Sequence, residues 1–162
     1  MKNIALCPVT SDSDLDLLDQ ALRRLSGDLG DSHVAGRAAL ARALGGAHPA
    51  AHGMLALEGE ELRGAALFSP VFSTVRGAAG VYVSDLWVAE AARGLGLGRR
   101  LLGAVGVRAA RLWRARWLTL AVYDHSTASR RFYDRLGFEP QTDATVMKLG
   151  PEGFAELMRN AG

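Results

Sequence analysis

The sequence predicts a single α/β domain, and three observations support this prediction. Short apolar runs typical of strands alternate with segments whose leucines recur at helical spacing. Two of the apolar runs, residues 54–57 and 62–68, are joined by a short turn that contains Gly59, which is typical of a hairpin. A further apolar run leads through a glycine cluster into a helix. At 162 residues the chain is long enough to bury one core, and it contains no repeat or linker.

The first half of the chain is assigned from apolar spacing and from residues that cap helices. Polar residues 10–13 are good N-caps for the leucine pattern that follows, and Gly27 and Gly30 then break that pattern. Residues 34–44 form a second short helical run, which a pair of glycines ends. Residues 71–76 could extend the second strand of the hairpin or form a loop.

The second half of the chain follows from the same signals. Apolar residues from Leu97 to Leu112 lie on one helical stripe, Gly137 ends a later helix, and Pro151 fits the first turn of a terminal helix. The predicted elements are a strand at 4–9, a helix to about 25, a helix at 34–44, strands at 54–57, 62–68 and 80–88, a helix from 97 to near 113, a strand at 117–122, a helix at 128–136, a strand at 145–149 and a helix at 152–159.

Composition argues against several classes of protein. Hydrophobic residues make up 49%, which is typical of a globular chain, and a net charge of +2 is too small to indicate nucleic acid. One cysteine, Cys7, excludes an internal disulfide, and no cluster of ligand residues indicates a metal. No apolar run has the length of a membrane span or signal peptide, so we expect a cytoplasmic protein with no membrane partner.

The most informative stretch is residues 81–102, in which a strand leads into Arg93-Gly94-Leu95-Gly96-Leu97-Gly98 and then a helix. Glycines allow a ligand oxygen to approach backbone N–H groups, and the helix N-terminus adds partial positive charge, so the pattern indicates a diphosphate ligand. A Walker loop would need Lys and Ser/Thr where Arg99 and Arg100 stand, and a dinucleotide fingerprint would need glycine at 99 or 101. A turn without a ligand is the alternative, although three glycines at a helix start cost stability.

The spacing Arg93-x-x-Gly96-x-Gly98 after a strand that ends in Val88 resembles the GNAT superfamily of N-acetyltransferases. Residues 118–138 resemble it too, with a strand, a polar break and a helix that closes in Tyr-x-x-x-Gly-Phe. The resemblance implies a mixed, mostly antiparallel sheet with helices on both faces and splayed fourth and fifth strands. It also implies acetyl-coenzyme A as co-substrate, with its pyrophosphate at the glycine turn. The fourth and fifth strands look most like the diamine and small-amine branch.

The resemblance also assigns roles to particular residues. Tyr133 stands where the family has its general acid, and a phenol that titrates near 10 can protonate a thiolate whose conjugate acid titrates near 8.5. Ser126 replaces the usual Asn and has a shorter reach, but it can still cap its helix. Tyr133 as a core aromatic is the alternative. The cofactor-binding residues implied are Leu86, Trp87, Val88, Arg93, Gly94, Leu95, Gly96, Leu97, Gly98, Arg99, Ser126, Ser129 and Tyr133.

Polar Ser84-Asp85 interrupts the apolar fourth strand, where a bulge or an inward-facing carboxylate is expected. The resemblance implies that the pantetheine arm binds the backbone of Trp87 and Val88, and that Val88 N–H polarises the thioester carbonyl. Asp85 is the best-placed carboxylate to take a proton from the attacking amine, directly or through a water; the alternative is an Asp that bonds neighbouring backbone. His125 is a weaker candidate for the base. No pattern in the sequence supports His33, His48 or His52 in that role.

Together these residues predict acetyl transfer from acetyl-coenzyme A to a primary amine by direct attack in a ternary complex. The acceptor would be a small-molecule amine or, as a second option, a protein amine, and a homodimer would be in keeping with the family. The rival function is a non-catalytic acyl-coenzyme A sensor or scaffold. The missing Asn at position 126 favours the rival slightly, whereas Tyr133 and Asp85 argue for an enzyme.

Overall fold

The structure, a computed structural model, describes residues 3–161. By its contacts the chain divides into two compact units, one ending at Tyr123 and the other beginning at Asp124. The first unit contains β1 (Ile4–Pro8), α1 (Asp12–Leu29), α2 (Arg37–Leu44), β2 (His52–Glu58), β3 (Glu61–Ser73), β4 (Ala78–Val88), a 3₁₀ turn (Glu90–Ala92), α3 (Leu97–Trp113) and β5 (Leu118–Leu120). The second unit contains α4 (Thr127–Arg135) and α5 (Pro151–Arg159).

Helix α1 begins with a capping box and ends at a glycine. Ser11 Oγ accepts from Asp14 N–H, and Asp14 Oδ2 accepts from Ser11 N–H in return. The helix runs through Gly27, which the sequence predicted to break it, and stops at Gly30, whose φ of 72° is readily adopted only by glycine. One interior glycine is therefore tolerated because the leucine stripe on α1 still packs in the core.

The five strands form one sheet in the order β1-β2-β3-β4-β5. The first three pairs are antiparallel, and β4 pairs with β5 in parallel. The mixed, mostly antiparallel sheet that the resemblance implied is confirmed. The fifth strand is shorter than predicted, because residues 118–120 alone pair with β4, at residues 81–83. Within the described residues, the rest of β4 beyond residue 83 has no strand beside it on that edge.

A β-bulge lies in β4 at the place where the sequence predicted one. Leu67 pairs with Asp85, but the next residue along β3, Phe68, pairs with Val83, so Ser84 is the extra residue. The Ser84 hydroxyl donates to Leu67 O at 3.2 Å. Because side chains alternate along a strand, one inserted residue moves every later side chain to the opposite face of the sheet.

The two faces of the sheet pack against different helices. Helix α3 covers the face on which Gly64 lies, because a methyl group on Gly64 would stand 2.8 Å from a methyl of Leu101. The other face packs against α1 and α2 in a core cluster that includes Trp87 of β4. The largest members of that cluster are Leu15, Leu18, Leu22, Leu40, Leu55, Leu62 and Trp87.

In the second unit, α4 ends as the sequence predicts, but the predicted last strand does not form. Phe138 N–H donates to Tyr133 O and Gly137 N–H to Asp134 O, which is a Schellman ending around a glycine with φ of 87°. Residues 145–149 are irregular, with Val146 84% and Met147 85% exposed. An apolar run becomes a strand only where another strand pairs with its backbone, and no strand of the described residues pairs with this run.

We expect His52 to make folding stability depend on pH. Its ring stacks in an aromatic group with Phe68 and Trp113, and burial, followed by the charge of Arg108, lowers the pKa of His52 below 6.5. The unfolded chain therefore binds this proton more readily than the folded protein does. The free energy of unfolding that His52 contributes is fully present above about pH 6.5, and it is lost as the pH falls from there toward the lower pKa of the folded protein. Urea unfolding at about pH 7 and about pH 5 should show a smaller difference in His52→Gln than in the parent.

The matched control is His48→Gln, because His48 is an exposed histidine in the connection between α2 and β2. Its pH dependence should equal that of the parent. An unchanged pH dependence in His52→Gln would show that the proton uptake on unfolding belongs to other groups.

Candidate active site

The edge of β4 beyond the bulge presents free backbone groups. In an antiparallel ladder, pairs that exchange hydrogen bonds alternate with pairs that do not. Ala89 N–H donates to Arg63 O at 2.8 Å, so its neighbour Val88 directs its N–H away from β3. By the same alternation Leu86 also directs its backbone groups to the open edge, whereas Trp87 directs them toward β3. By this alternation the edge-facing groups belong to Leu86 and Val88, whereas from the sequence we expected Trp87 and Val88 to offer theirs.

The glycine turn after β4 carries a row of N–H groups. Gly94 and Gly96 have φ of 75° and 78°, and Gly96 is the N-cap of α3, with no side-chain cap. The N–H groups of Arg93 and Arg100 donate to backbone carbonyls, but those of residues 94–99 have no hydrogen-bond partner within the described residues. A methyl group built on Gly94 or Gly96 would meet no atom within 4 Å. The turn is thus an open concavity of donors that suits an anion.

Arg93 fixes the start of this turn. Its Nε donates to Val88 O at 3.0 Å, and its Nη2 pairs with Asp28 Oδ2 of α1 at 2.6 Å. Both residues of the ion pair are about half exposed, so the pair contributes only about 0–1 kcal/mol to stability. The Arg93 side chain therefore joins β4, the turn and α1 in this structure.

The remaining predicted residues of the turn differ in how far their side chains are exposed to solvent. Leu97 is 2% exposed, so its side chain belongs to the core and only its backbone can face a ligand. Leu95 is 54% exposed, and Arg99 is also exposed in the first turn of α3. Arg99 consequently places an exposed positive charge beside the open N–H groups.

A pocket of about 350 Å³ opens on the face of the sheet that packs against α1. Its polar lining contains two carboxylates and one imidazole, and its apolar lining comes from α1, α2 and β3. The residues that line it are Leu22, Ser26, Asp31, Ser32, His33, Val34, Ala35, Leu40, Leu67 and Asp85. All of them belong to the first unit.

Asp85 reaches this pocket because of the bulge. Asp85 and Trp87 lie on the same face, and Trp87 packs in the cluster formed with α1 and α2. Burial raises the pKa of the Asp85 carboxyl above 3.8, while the Ser84 hydroxyl and the charge of His33 act in the opposite direction. A partly buried carboxylate with a raised pKa beside a cavity has the properties of a general base.

Three lining or rim residues were not predicted as site residues. Asp31 Oδ2 accepts from the hydroxyl of Tyr123 at 2.9 Å, and that hydrogen bond, followed by the Asp31 charge, raises the pKa of Tyr123. His33 contacts α1 and faces Asp85 across the pocket. No motif of nearby residues predicts that Asp31, His33 or Tyr123 belongs to the site, because all three lie far from Asp85 in sequence. A polar run after a helix stop, residues 31–33, is the only signal that the sequence offers.

In the second unit, the predicted residues lie on α4. Tyr133 packs between the rings of Phe132 and Phe138, with centroids 5.0 and 5.4 Å away, and burial raises the pKa of its phenol above 10. Ser126 is the N-cap residue, but its side chain makes no capping hydrogen bond, so the predicted cap is not formed. Ser129 is half-buried in the first turn of the helix.

Residues 20–138, well over half of the chain, match the Acetyltransferase (GNAT) family. The chain belongs to the GNAT acetyltransferase family. No curated protein sequence matches it. The family transfers acetyl groups to amines and uses acetyl-coenzyme A as its co-substrate. The open concavity of N–H groups at residues 94–99 fits the pyrophosphate of that molecule.

Several solved structures, two of them acetyltransferases by name, share this fold. A ribosomal-protein-alanine N-acetyltransferase from Brucella melitensis biovar Abortus 2308 is 17% identical, with a TM-score of 0.72 over 91% of this chain and 100% of that one. An aminoglycoside acetyltransferase from an uncultured soil metagenomic sample is 14% identical, with a TM-score of 0.73 over 91% and 97%. An integron cassette protein from V. cholerae is 20% identical, with a TM-score of 0.74 over 96% and 98%.

Two further observations describe the GNAT chain between residues 3 and 161. None of its helices combines the length and the apolar character needed to cross a membrane. Nor do three or more of its His, Cys, Asp and Glu side chains converge as a metal site would require.

We expect Gly96→Ala to weaken acetyl-coenzyme A binding. The methyl group would enter the concavity in front of the donors, and the φ of 78° is strained for alanine. Calorimetry should show an affinity reduced by about tenfold or more, which corresponds to about 1.4 kcal/mol. Gly103→Ala is the matched control, because Gly103 lies inside α3 with open space around it, and this change should leave affinity intact. Equal acetyl-coenzyme A affinity in the two variants would show that the turn does not bind the cofactor.

Proposed function

We propose that this protein transfers an acetyl group from acetyl-coenzyme A to a primary amine by direct attack in a ternary complex. One observation carries the proposal: the bulge at Ser84 places Asp85 in a pocket while the same strand directs Val88 N–H to an open edge and runs into the glycine turn. The proposed general base and the proposed carbonyl-binding and phosphate-binding groups thus come from one continuous stretch of chain.

The roles follow from what each group can donate or accept. The N–H groups of residues 94–99 bind the pyrophosphate, with Arg93 and Arg99 as neighbouring positive charges. The edge-facing groups of Leu86 and Val88 bind the pantetheine arm as a neighbouring strand would. Val88 N–H donates to the thioester oxygen, whose negative charge grows as the amine attacks.

Asp85 removes the proton that the incoming ammonium group must lose. The neutral amine then attacks the carbonyl carbon and the new C–N bond forms. The nitrogen loses its second proton to solvent, and the C–S bond breaks to release a thiolate. A carboxyl whose pKa is raised by burial is a stronger base than an exposed one, which favours this transfer. The proton can move directly or through a water.

We propose Tyr133 as the acid that protonates the departing thiolate. Its raised pKa keeps the phenol protonated at neutral pH, so the proton is available when the thiolate forms. Ser126 and Ser129 belong to the same helix as further cofactor contacts. Ser126 makes no capping bond, so its hydroxyl is available as a donor to a ligand.

A small amine is the acceptor that we favour. A pocket of about 350 Å³ with Asp31 and Asp85 in its walls suits a compact cation better than an extended chain. The small-amine branch that the strand sequences resemble agrees with this. An aminoglycoside and a ribosomal-protein alanine, named for two of the fold neighbours, represent the alternative acceptors. A cytoplasmic homodimer remains an expectation from the family resemblance.

A screen of amine classes with acetyl-coenzyme A, following thiol release, tests the function. With the best amine, Asp85→Asn should retain coenzyme A affinity but have a lower kcat/KM. The pH profile of the variant should also lack the acidic limb. In the parent, that limb should lie at higher pH than an ordinary carboxyl would give, because burial raises the pKa of Asp85. Glu60→Gln, in the exposed β2–β3 turn, is the control carboxylate. Tight acetyl-coenzyme A binding without turnover of any amine would favour the sensor function instead.

We expect Tyr133→Phe to slow the chemical step. The ring and its aromatic contacts are kept, so stability and cofactor affinity should change little, whereas single-turnover rates should fall by roughly 10²-fold or more. Tyr82→Phe, which removes a hydroxyl from β4, should retain the parent rate. Initial-rate patterns that intersect, without an acetyl-enzyme, are expected for direct attack. A single-turnover rate in Tyr133→Phe equal to that of the parent would show that this tyrosine only packs against its aromatic neighbours.

A further inference from the structure

The pocket contains one titratable side chain that the proposed mechanism does not use. His33 follows the end of α1, and its side chain is 16% exposed. Its Nδ1 lies 3.1 Å from Ser26 Oγ, and its Nε2 lies 3.8 Å from Asp19 Oδ1. Both residues belong to α1, so the helix lies against the ring on two sides.

The hydrogen bonds around the ring indicate which of its atoms carry protons. The Ser26 hydroxyl donates to Leu22 O at 3.0 Å, so Ser26 Oγ is left to accept from Nδ1–H of His33. At the other end, His33 Nε2 and Asp19 Oδ1 are buried and have no hydrogen-bond partner among the described residues. A proton on Nε2 would place an N–H toward that carboxylate oxygen. A ring protonated on both nitrogens would therefore donate to Ser26 Oγ and direct its second N–H toward Asp19.

The charges that face His33 come from three parts of the unit. Helix α1 contributes Asp19, which Arg23 also pairs at 2.8 Å through the other carboxylate oxygen. Strand β4 contributes Asp85, and the segment after α1 contributes Asp31, which accepts from Tyr123. Asp31 has the neutral Tyr123 hydroxyl as its donor, whereas Asp85 has neither an ion pair nor a charged hydrogen-bond donor among the described residues. A charged ring across the pocket is its nearest available compensation.

We propose that His33 is a positioning residue for Asp85, an inference that rests on the proposed role of Asp85 as the base. Its charged ring, held by two side chains of α1, keeps the Asp85 carboxylate ionised in spite of its burial. The ring thereby extends to lower pH the range in which Asp85 can accept a proton from the amine. It forms no bond to substrate and transfers no proton.

NMR titration of the Asp85 side-chain carboxyl tests this without any substrate. Aspartate labelled with ¹³C at the carboxyl gives the signal, and Asp85→Asn identifies it. In His33→Gln the titration midpoint should rise by roughly one pH unit, the lower end of the shift that a close opposite charge produces. In His33→Lys, which keeps a positive charge, the midpoint should stay near that of the parent, and in His48→Gln, at an exposed site, it should not move.

The charge-retaining variant separates electrostatics from packing. An equal midpoint in parent and His33→Gln would overturn the proposal, and so would an equal rise in His33→Gln and His33→Lys, which a purely structural role predicts. With an active amine, the acidic limb of kcat/KM should rise in His33→Gln by the same shift. Failure of every amine to react would reject the proposed function while the carboxyl titration still decides the role of His33.

Discussion

The extra residue in β4 is the constraint on which the site depends. With Ser84 unpaired, Val83 and Asp85 lie on opposite faces of the sheet, although a regular strand would place them on the same face. Val81 and Val83 therefore share one face, while Asp85 and Trp87 lie on the face that α1 covers. A single insertion lets one strand serve the core of the fold and the wall of a polar pocket.

The same strand loses its neighbour just beyond the bulge. Because β5 pairs only with residues 81–83, the backbone of Leu86 and Val88 directs donors and acceptors to an edge that an extended ligand can join. Glycines at 94 and 96 then turn the chain through left-handed conformations that side chains resist, and α3 begins with its first N–H groups open. Strand edge, turn and helix start thus form one continuous row of open backbone groups, which is the surface proposed for the coenzyme.

Much of this could be predicted from the sequence, because the decisive signals are local. A polar Ser-Asp pair inside an apolar strand predicted the bulge, and glycine spacing before a helical stripe predicted the turn. Properties set by pairing could not be predicted in this way. Residues 145–149 have a strand-like pattern, but no strand of the described residues pairs with them. The direction of the Trp87 backbone groups depends on which residues of β4 exchange hydrogen bonds with β3. The place of His33 beside Asp85 depends on how α1 docks, which no spacing in the sequence encodes.

The end of α1 contacts the site at three separate points. Asp28 pairs with Arg93 at the turn, Asp31 accepts from Tyr123 just after β5, and His33 faces Asp85. The exposed Asp28–Arg93 pair adds little stability, so its effect lies in position and charge more than in folding energy. The left-handed Gly30 makes the arrangement feasible, because it ends the helix sharply and lets the next three residues run along the pocket. A shift of α1 would consequently move both the glycine turn, proposed to bind phosphate, and the pocket that is proposed for the acceptor, so one helix contacts both halves of the proposed site.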